Sequence, residues 1–236
     1  MQQVSVMISQ PRYLPACNYI KRMSMSDVFV YLDCVQYTKR DFENRNRILT
    51  PSGPMWLTVP VIHTSSEQRI FETRIDWSSD WRKSHLSSIF HSYKKCARFD
   101  EIYQDLEKIY IHKYEYLMDL NSALTDYFIA KAGIKSPRIE KSTALLGGEP
   151  HPKGQELLLK ICEKLGASQY ISGPNGREYI TSNYFESAGV GLFFHDYKCA
   201  PYDQANFKGD FQQYMGIVDL YMNCENDEII KIIDGV

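Results

Sequence analysis

The chain has no long apolar run and no strong net charge. No stretch approaches the ~20 consecutive apolar residues that a membrane-spanning helix needs. The formal net charge of −2 at pH 7 gives the chain no bulk attraction to nucleic acid or to an anionic membrane. We therefore expect no membrane span and no nucleic-acid duplex as a partner, and any anion-binding site has to be local.

Paired cysteines, nucleotide-binding signatures and a leader segment are also missing. The six cysteines are scattered, with no C-x-x-C pair and no histidine at ligand spacing, which argues against a metal site and a secreted disulfide scaffold. Cys17 and Cys34 have no histidine paired with them, so we expect buried, inert thiols. A Walker A loop and a G-x-G-x-x-G fingerprint are absent, and no cofactor is indicated. The start, MQQVSVMISQ, does not resemble a signal peptide, and we expect a soluble, cytoplasmic protein.

What the chain does have is an alternation of apolar runs and helical patterns. The runs at 4–8 and 28–32 predict buried strands, and residues 16–25 between them predict a short helix. This order is typical of a βαβ unit with a parallel strand pair. Residues 48–50 and 55–62, on either side of the turn at 51–54, predict a hairpin.

The middle of the chain, from about 79 to 134, has helical periodicity. Trp81, His85 and Ile89 share one face. Further on, the pattern predicts a helix from Lys153 to Gly166 and strands at 169–171 and 190–194. We predict an α/β fold with a mostly parallel sheet, flanking helices and a helical insertion in the middle. A single domain over residues 1–236 is expected, with a possible sub-division into 1–135 and 150–236 around a Gly- and Pro-rich linker at 146–154.

Polar clusters follow each of the four predicted buried strands outside the hairpin. These clusters are Gln10–Pro15, Asp33–Arg47, Ser172–Arg177 and His195–Lys198. In open α/β sheets, ligands bind beyond the carboxyl ends of the parallel strands. We therefore predict a ligand site there, with Gln10, Arg12 and Tyr13 among the residues that bind the substrate.

The segment after the second strand is the richest in cations. Its candidate substrate-binding residues are Gln36, Lys39, Arg40, Arg45, Asn46 and Arg47. Arginine and lysine offer charge-assisted hydrogen bonds to phosphate or carboxylate, and arginine adds a planar fork. The alternative is a solvated loop in which Asp41 and Glu43 neutralise the basic side chains.

Two residues are candidates for acid–base chemistry. Asp33 stands at the mouth of a buried strand and could act as a general base, or it could cap the loop by accepting backbone N–H bonds. His85 could transfer a proton near neutral pH, or it could be a core histidine whose ring nitrogens are satisfied.

Two further positions could contact a ligand through backbone groups. Lys153 stands where a helix is predicted to begin, so it could assist anion binding by the N–H groups there. Glu156 in the same first turn could instead simply favour the helix dipole. Ser172 begins the turn SGPNGR, whose backbone could approach a ligand, although a plain turn needs no function.

An ordered series of motifs closely resembles the WbqC-like family. The series comprises Q-P-x-Y-L-P from Gln10, D-V-F-V-x-L-D-x-V-Q-Y-x-K-R from Asp27, N-R-N-R-I from Asn44, W-L-T-V-P-V from Trp56, Ile75-Asp76 with Trp81-x-x-x-His85, Tyr93, Gly166-Ala167-x-x-Tyr170-x-Ser172-Gly173, and Pro201-Tyr202-x-Gln204. The resemblance covers almost the whole chain. It implies a bacterial role in making O-antigen or another surface glycan, because such gene clusters are where the family is found.

The chain departs from the family's usual pattern near its start. Ser9 stands where the family usually has His, and Arg12 stands where it usually has Asn. Ala16 replaces a usual Trp and Asn18 a usual Gly. If the missing His were the family's base, this chain would have lost that base, or its role would have moved to Asp33 or His85. Arg12 would suit a more anionic substrate.

The anion-ready loops and the family's pathway together suggest a transferase. The hypothesis is that it acylates or aminoacylates the amine of a nucleotide-linked amino sugar, using an activated acyl or aminoacyl donor. Lys39, Arg40, Arg45 and Arg47 would hold a diphosphate or the donor's carboxyl group, and loop N–H groups would stabilise the oxyanion. One alternative is a non-catalytic module that binds a nucleotide sugar or a partner protein. Another is a nucleotidyl- or adenylyl-transferase.

Overall fold

A computed structural model describes residues 3–148 and 151–235 of the chain. In these residues there are seven strands, β1 (Ser5–Ser9), β2 (Val28–Tyr31), β3 (Arg45–Thr50), β4 (Gly53–Thr58), β5 (Arg138–Lys141), β6 (Gln169–Ser172) and β7 (Gly191–Phe194). The α-helices are α1 (Cys17–Met25), α2 (Trp81–Tyr93), α3 (Phe99–Ile111), α4 (Leu117–Lys131), α5 (Ser142–Leu146), α6 (Gly154–Lys164), α7 (Ser182–Glu186), α8 (Ile217–Asn223) and α9 (Asn226–Asp234). Short 3₁₀ helices cover Ile70–Glu72 and Pro174–Glu178. The α/β class is confirmed.

The chain forms two compact units, each assembled from three segments. The first comprises the residues up to Gln10, Lys21–Val35 and Lys135–Tyr197. The second comprises Pro11–Ile20, Gln36–Ile134 and the residues from Lys198 onward. The single domain and its sub-division at 135 and 150 stay predictions. Residues 149 and 150, inside the predicted linker, lie outside the described part of the chain.

The first unit is built around a five-stranded sheet in the order β5-β2-β1-β6-β7. All neighbouring strands pair in parallel, so the predicted parallel pair of β1 and β2 is confirmed. Three consecutive apolar residues of β1 and all four residues of β2 are buried, as expected when both faces of a parallel sheet are covered. The core of this unit includes fully buried side chains (0% exposed), namely Val6, Val30, Ile161 and Phe185.

The edge strand β5 was not predicted from the sequence. Its residues RIEK are mostly exposed, so they show neither the apolar run nor the alternation by which a strand is recognised. Charged residues are typical of an edge, where they prevent pairing with another chain. Its strand conformation follows from pairing with β2, with Val28 opposite Arg138 and Tyr31 opposite Lys141.

The second unit combines the β3–β4 hairpin with helices α2, α3, α4, α8 and α9. The hairpin is confirmed, but it begins at Arg45 and ends at Thr58 rather than at 48 and 62. Leu120, Leu124 and Phe128 form the buried stripe of α4. Gly133, at φ +67°, follows the helix end in the left-handed conformation that glycine adopts without strain.

None of the helices in the described ranges has both the length and the apolar character required to cross a membrane.

Candidate functional site

The polar clusters do follow strands of the parallel sheet. In the first unit, Gln10 comes directly after β1, Asp33 follows β2, Ser172 ends β6, and His195 comes directly after β7. Because these four strands are parallel neighbours, the four residues lie at the carboxyl edge of one sheet. That is the edge at which α/β proteins bind ligands.

Asp33 uses its carboxylate inside the first unit. One oxygen, Oδ1, accepts hydrogen bonds from the Ser142 hydroxyl at 2.7 Å and the Thr143 N–H at 2.9 Å, while Oδ2 accepts from the Thr143 hydroxyl at 2.7 Å. Asp33 is 1% exposed. The geometry therefore gives Asp33 a capping role at the start of α5, whereas the alternative left open by the sequence was a cap on the loop after β2.

Lys153 is exposed and stands directly before α6, as the sequence predicted for the start of that helix. Gln155, in the first turn, accepts hydrogen bonds from the N–H and the hydroxyl of Thr181 at 3.0 and 3.1 Å through Oε1. These two hydrogen bonds connect the beginning of α6 to the residue before α7. Ser172 is buried at the carboxyl end of β6.

In the second unit, three arginines gather on two aromatic rings. The Arg45 guanidinium lies 4.2 Å and that of Arg47 5.7 Å from the ring centre of Trp56. The Arg12 guanidinium lies 5.2 Å from the ring of Phe42, which is 5.7 Å from Trp56. We call these five residues the arginine–tryptophan patch. The hairpin register places Arg47 opposite Trp56 and therefore on the same face.

The arginines of the patch form no ion pair with an acid in the described ranges. Among the described residues, no carboxylate lies within ion-pairing distance of Arg12, Arg45 or Arg47. The Nε atoms of Arg45 and Arg47 are buried and have no hydrogen-bond partner in the described part of the chain. Trp56 is 42% exposed. The patch thus combines arginines that form no ion pair among the described residues with an accessible aromatic ring.

Glu43 is a buried acid beside this patch, and the sequence alone does not distinguish it as a candidate site residue. Its side chain is 1% exposed, and Oε2 accepts the Thr38 N–H at 3.2 Å. Burial raises the pKa of Glu43 to about 8, although the Thr38 N–H and the charge of Arg12 oppose the change. Oε1 has no hydrogen-bond partner among the described residues. Such a carboxyl group exchanges a proton near neutral pH.

The segment that carries Glu43 is fixed by long-range hydrogen bonds. The Asn121 amide donates to the Glu43 carbonyl at 2.8 Å, and the Val59 N–H donates to the Asn44 carbonyl at 2.8 Å. Sequence spacing cannot reveal bonds across 78 residues. From the sequence, Glu43 appears only as a neutralising charge in a basic loop.

His85 and Tyr13 belong to a buried hydrogen-bonded chain. Since a carbonyl oxygen only accepts, His85 Nε2 carries the proton and donates to the Thr58 carbonyl at 3.1 Å. The other nitrogen, Nδ1, then accepts from the Tyr13 hydroxyl at 2.8 Å, and Tyr13 also bonds to the Tyr110 hydroxyl. Burial lowers the pKa of His85 to about 4. His85 is therefore neutral at physiological pH, with both nitrogens satisfied, which matches the core histidine that the sequence left open.

The other predicted residues divide between internal and exposed positions. The Asn46 amide donates to the carbonyls of Leu14 and Tyr13 at 2.6 and 3.3 Å, so it is engaged in shaping the loop after β1. The Gln36 amide donates to the Ser66 carbonyl. Lys39 and Arg40 are exposed, and the Arg40 carbonyl accepts a hydrogen bond from Arg45.

A groove of about 530 Å³ also opens in the second unit, between α2 and α3. Its apolar lining includes Leu86, Phe90, Tyr103 and Ile111. None of the residues predicted to bind substrate lines it. Within residues 3–148 and 151–235, no group of three or more His, Cys, Asp or Glu side chains could hold a metal ion.

Together, these features define an α/β protein with a parallel sheet and an anion-ready patch of arginines. The sequence profile of the WbqC-like protein family matches residues 10–231, and the chain belongs to this family. The resemblance seen in the motifs is thereby confirmed. The chain is also similar to Uncharacterized protein Rv1507c of Mycobacterium tuberculosis, with 34% identity over 222 residues that cover 92% of this chain and 93% of that protein. No solved structure matches the chain.

Proposed function

We propose that this chain is a cytoplasmic transferase of bacterial surface-polysaccharide or unusual-sugar biosynthesis. It acylates or aminoacylates the amine of a nucleotide-linked amino sugar. The observation that carries the proposal is the arginine–tryptophan patch, in which Arg12, Arg45 and Arg47 surround aromatic rings without a carboxylate partner among the described residues.

The patch suits an anionic substrate with a ring. Guanidinium groups bind carboxylate or phosphate through paired, charge-assisted hydrogen bonds. A neutralised arginine would first have to release its acid, whereas these three are ready to bind. The exposed indole of Trp56 offers a flat apolar face on which a sugar or base can stack. Lys39 and Arg40 add positive charge on the adjoining loop.

The replacement at position 12 fits the same proposal. Arg12 stands where the family usually has Asn, and its guanidinium lies over Phe42 in the patch. It therefore adds a full positive charge to the two arginines of β3. A substrate with more negative charge than the family's usual one is the simplest use for it.

Glu43 supplies the acid–base group of the proposed reaction. As the amine nitrogen forms its bond to the acyl carbon, the bond from that carbon to the donor's leaving group breaks and a base takes up the proton from nitrogen. Such a base works best when its pKa is near the operating pH. The pKa of about 8 for Glu43 meets that condition. Because its oxygens are buried, the proposal requires the substrate to displace the exposed turn at 38–41 before it contacts Glu43.

Asp33 and His85 remain predictions for the same role. Both side chains are engaged in the structure, Asp33 by three donors and His85 at both ring nitrogens. Each would have to give up internal hydrogen bonds to accept a proton from substrate. Glu43 would break fewer hydrogen bonds, because its Oε1 accepts none from the described residues.

The test is to incubate the protein with nucleotide-linked amino sugars and activated acyl or aminoacyl donors, and to follow the sugar nucleotide by mass spectrometry. We expect a mass increase equal to one acyl group. The Arg45→Gln and Arg47→Gln variants should lower the rate by about 10-fold or more, because each removes a charge-assisted contact.

Arg74→Gln is the matched control. Arg74 also lies over an aromatic ring, 5.7 Å from that of Tyr116, but it is paired with Glu115 at 3.0 Å. Its replacement should leave the rate unchanged. No mass change with any donor, or equal losses in Arg74→Gln and Arg45→Gln, would contradict the proposal.

A non-catalytic binding module is the second candidate. It is favoured by the internal engagement of Asp33 and His85 and by Ser9 in place of the family's usual His. Calorimetry separates the two candidates. A module binds the sugar nucleotide without turnover, and Glu43→Gln leaves its affinity unchanged. Release of pyrophosphate that depends on ATP would instead indicate an adenylyl-transferase.

A further inference from the structure

The chain first adds strands to the parallel sheet on one side of β1 and later, beginning with β6, adds them on the other side. We call this change of side the reversal between β1 and β6. From β1 the chain continues to β2 and then β5 on one side, whereas β6 lies on the other side of β1 and is followed outward by β7. At such a reversal, the loops that follow the two central strands lead away from each other. This leaves a crevice at the carboxyl ends of those strands. Open α/β proteins bind ligands in this crevice.

Two glycines allow side chains to pack closely on the backbone after β6. A Cβ added at Gly173, the first residue after β6, would lie 3.3 Å from Cζ of Arg22. The Arg22 guanidinium, which comes from α1, therefore lies against the bare backbone at the strand end. A Cβ at Gly176 would press on the side chains of Ser172, Phe194 and Ile180, so this buried glycine lets the turn pack closely on the end of β6.

Positive charge collects at the same place. Burial, and then the charges of Arg22 and Lys21, lower the pKa of His195, the first residue after β7. The positive charges of both Arg22 and Lys21 therefore act on the His195 imidazole. The buried Nδ1 of His195 has no hydrogen-bond partner within the described ranges. Asp196, the acid next to it, is already held by Arg177 through two bonds of 2.7 and 2.6 Å.

We propose that the crevice formed by Lys21, Arg22, Gly173 and His195 binds the diphosphate of a nucleotide-linked sugar. The inference deepens the proposed function and rests on it for the identity of the ligand. A diphosphate carries at least two negative charges on neighbouring groups, which matches two cationic side chains beside an imidazole and a bare backbone turn.

This assignment divides the ligands between two places in the chain. The sequence left a diphosphate and an activated carboxyl donor as alternatives for the cationic loop at 36–47. If the crevice takes the diphosphate, the arginine–tryptophan patch takes the donor.

Isothermal titration calorimetry with inorganic pyrophosphate and with uridine diphosphate tests the assignment. We expect Arg22→Gln and Lys21→Gln each to weaken binding of both probes by about 10-fold or more, since each removes one charge-assisted contact. Circular dichroism shows whether each variant is folded. If Arg22→Gln does not fold, Lys21→Gln still decides the question.

A control carries the same loss of charge elsewhere in the first unit. Arg138 is exposed at the beginning of β5, opposite Val28, and therefore at the amino end of the sheet. Arg138→Gln should bind both probes within about twofold of the unaltered protein. The assignment is overturned if the unaltered protein binds neither probe, if Arg22→Gln and Lys21→Gln bind normally, or if Arg45→Gln alone loses binding.

The outcome is distinguishable from that of the proposed function. Pyrophosphate binding that depends on Arg22 without any acylated product would retain the crevice and reject the transfer reaction. An acylated product that forms equally well in Arg22→Gln and Lys21→Gln, with unchanged affinity for the sugar nucleotide, would retain the reaction and reject the crevice.

Discussion

Glu43 is the residue whose ionisation most directly ties stability to the proposed chemistry. The folded chain holds its proton up to about pH 8, whereas an unfolded chain releases it near the ordinary value of 4.5. The folded state is therefore favoured when Glu43 is protonated. Its contribution to stability is complete below pH 4.5 and is lost as the pH rises to about 8.

Replacing Glu43 with Gln should remove this loss of stability at high pH, because Gln has nearly the same shape and no charge. We expect the variant to gain stability relative to the unaltered protein as the pH rises, on the order of a few kcal/mol at pH 8. Urea unfolding at pH 5, 6.5 and 8 measures the difference. Glu67→Gln, at an exposed position, is the control. An identical pH dependence in the Glu43 variant and the unaltered protein would show that Glu43 is not protonated in the fold.

At this scale, the sequence predicted part of the candidate site. Arg12, Arg45 and Arg47 were identified from their positions after strands, and they do share one patch. Tyr13 and Asn46 follow the same strands, yet their side chains bond internally. Which polar group turns inward depends on partners far away in the chain, and residue spacing does not encode them.

Among the secondary-structure elements, α5 depends on a residue outside it. Asp33, after β2, accepts hydrogen bonds from the Thr143 N–H and hydroxyl in the first turn of this five-residue helix. A short helix has little stability of its own and needs such a cap. The bond also joins two segments of the first unit that are more than 100 residues apart in the sequence.

We expect Asp33→Asn to lower the free energy of unfolding by about 1–3 kcal/mol, because a charged acceptor is removed from buried donors. A double-mutant cycle with Thr143→Val should give a coupling energy of about 1 kcal/mol or more. Chemical denaturation measures both quantities. Additive effects of the two substitutions would mean that the cap contributes nothing, and they would reopen the role of Asp33 as a base.

Helix α8 is anchored by a buried carboxylate. Asp219 accepts from the Tyr93 hydroxyl at 2.8 Å, the Tyr202 hydroxyl at 2.7 Å and the Gln204 amide at 2.9 Å. Asp219 is 0% exposed. The P-Y-x-Q motif from Pro201 therefore has a structural role in the second unit, since two of its side chains satisfy this acid.

Tyr202→Phe should lower the free energy of unfolding by about 1–3 kcal/mol, because it leaves a buried carboxylate oxygen with one donor fewer. That loss corresponds to a drop of roughly 2–4 °C in melting temperature per kcal/mol. Calorimetry at constant pH measures it. Tyr179→Phe removes a hydroxyl from a side chain that is 55% exposed and should have little effect. Equal melting temperatures for the two variants would contradict the anchoring role.

Buried strands could be predicted from their runs of apolar residues, whereas the exposed edge strand could not. β1 and β2 are continuous apolar runs in the sheet interior, and their positions were predicted to within about one residue. β5 is an exposed edge strand of charged residues, which only its pairing with β2 reveals.

On the scale of the whole molecule, each unit is assembled from segments that lie far apart in the chain. The five-stranded sheet needs residues from the beginning of the chain and from beyond Lys135, with most of the second unit in between. Hydrophobic periodicity predicts the separate elements and the α/β class, but the order β5-β2-β1-β6-β7 depends on pairing across the chain. The sequence therefore predicted which polar residues lie at the carboxyl edge of the sheet, while the reversal between β1 and β6 is known only from the topology.

The most direct measurement of the proposed reaction is the pH dependence of kcat/KM for amide formation, in the unaltered protein and in Glu43→Gln. Because a base acts when it is ionised, the rate should rise with pH through an apparent pKa of about 8, the value that burial gives to Glu43. Glu43→Gln should lower kcat/KM by about 100-fold or more and remove that rise, apart from titration of the sugar amine itself. An unchanged rate and an unchanged profile in Glu43→Gln would contradict the proposed role of Glu43.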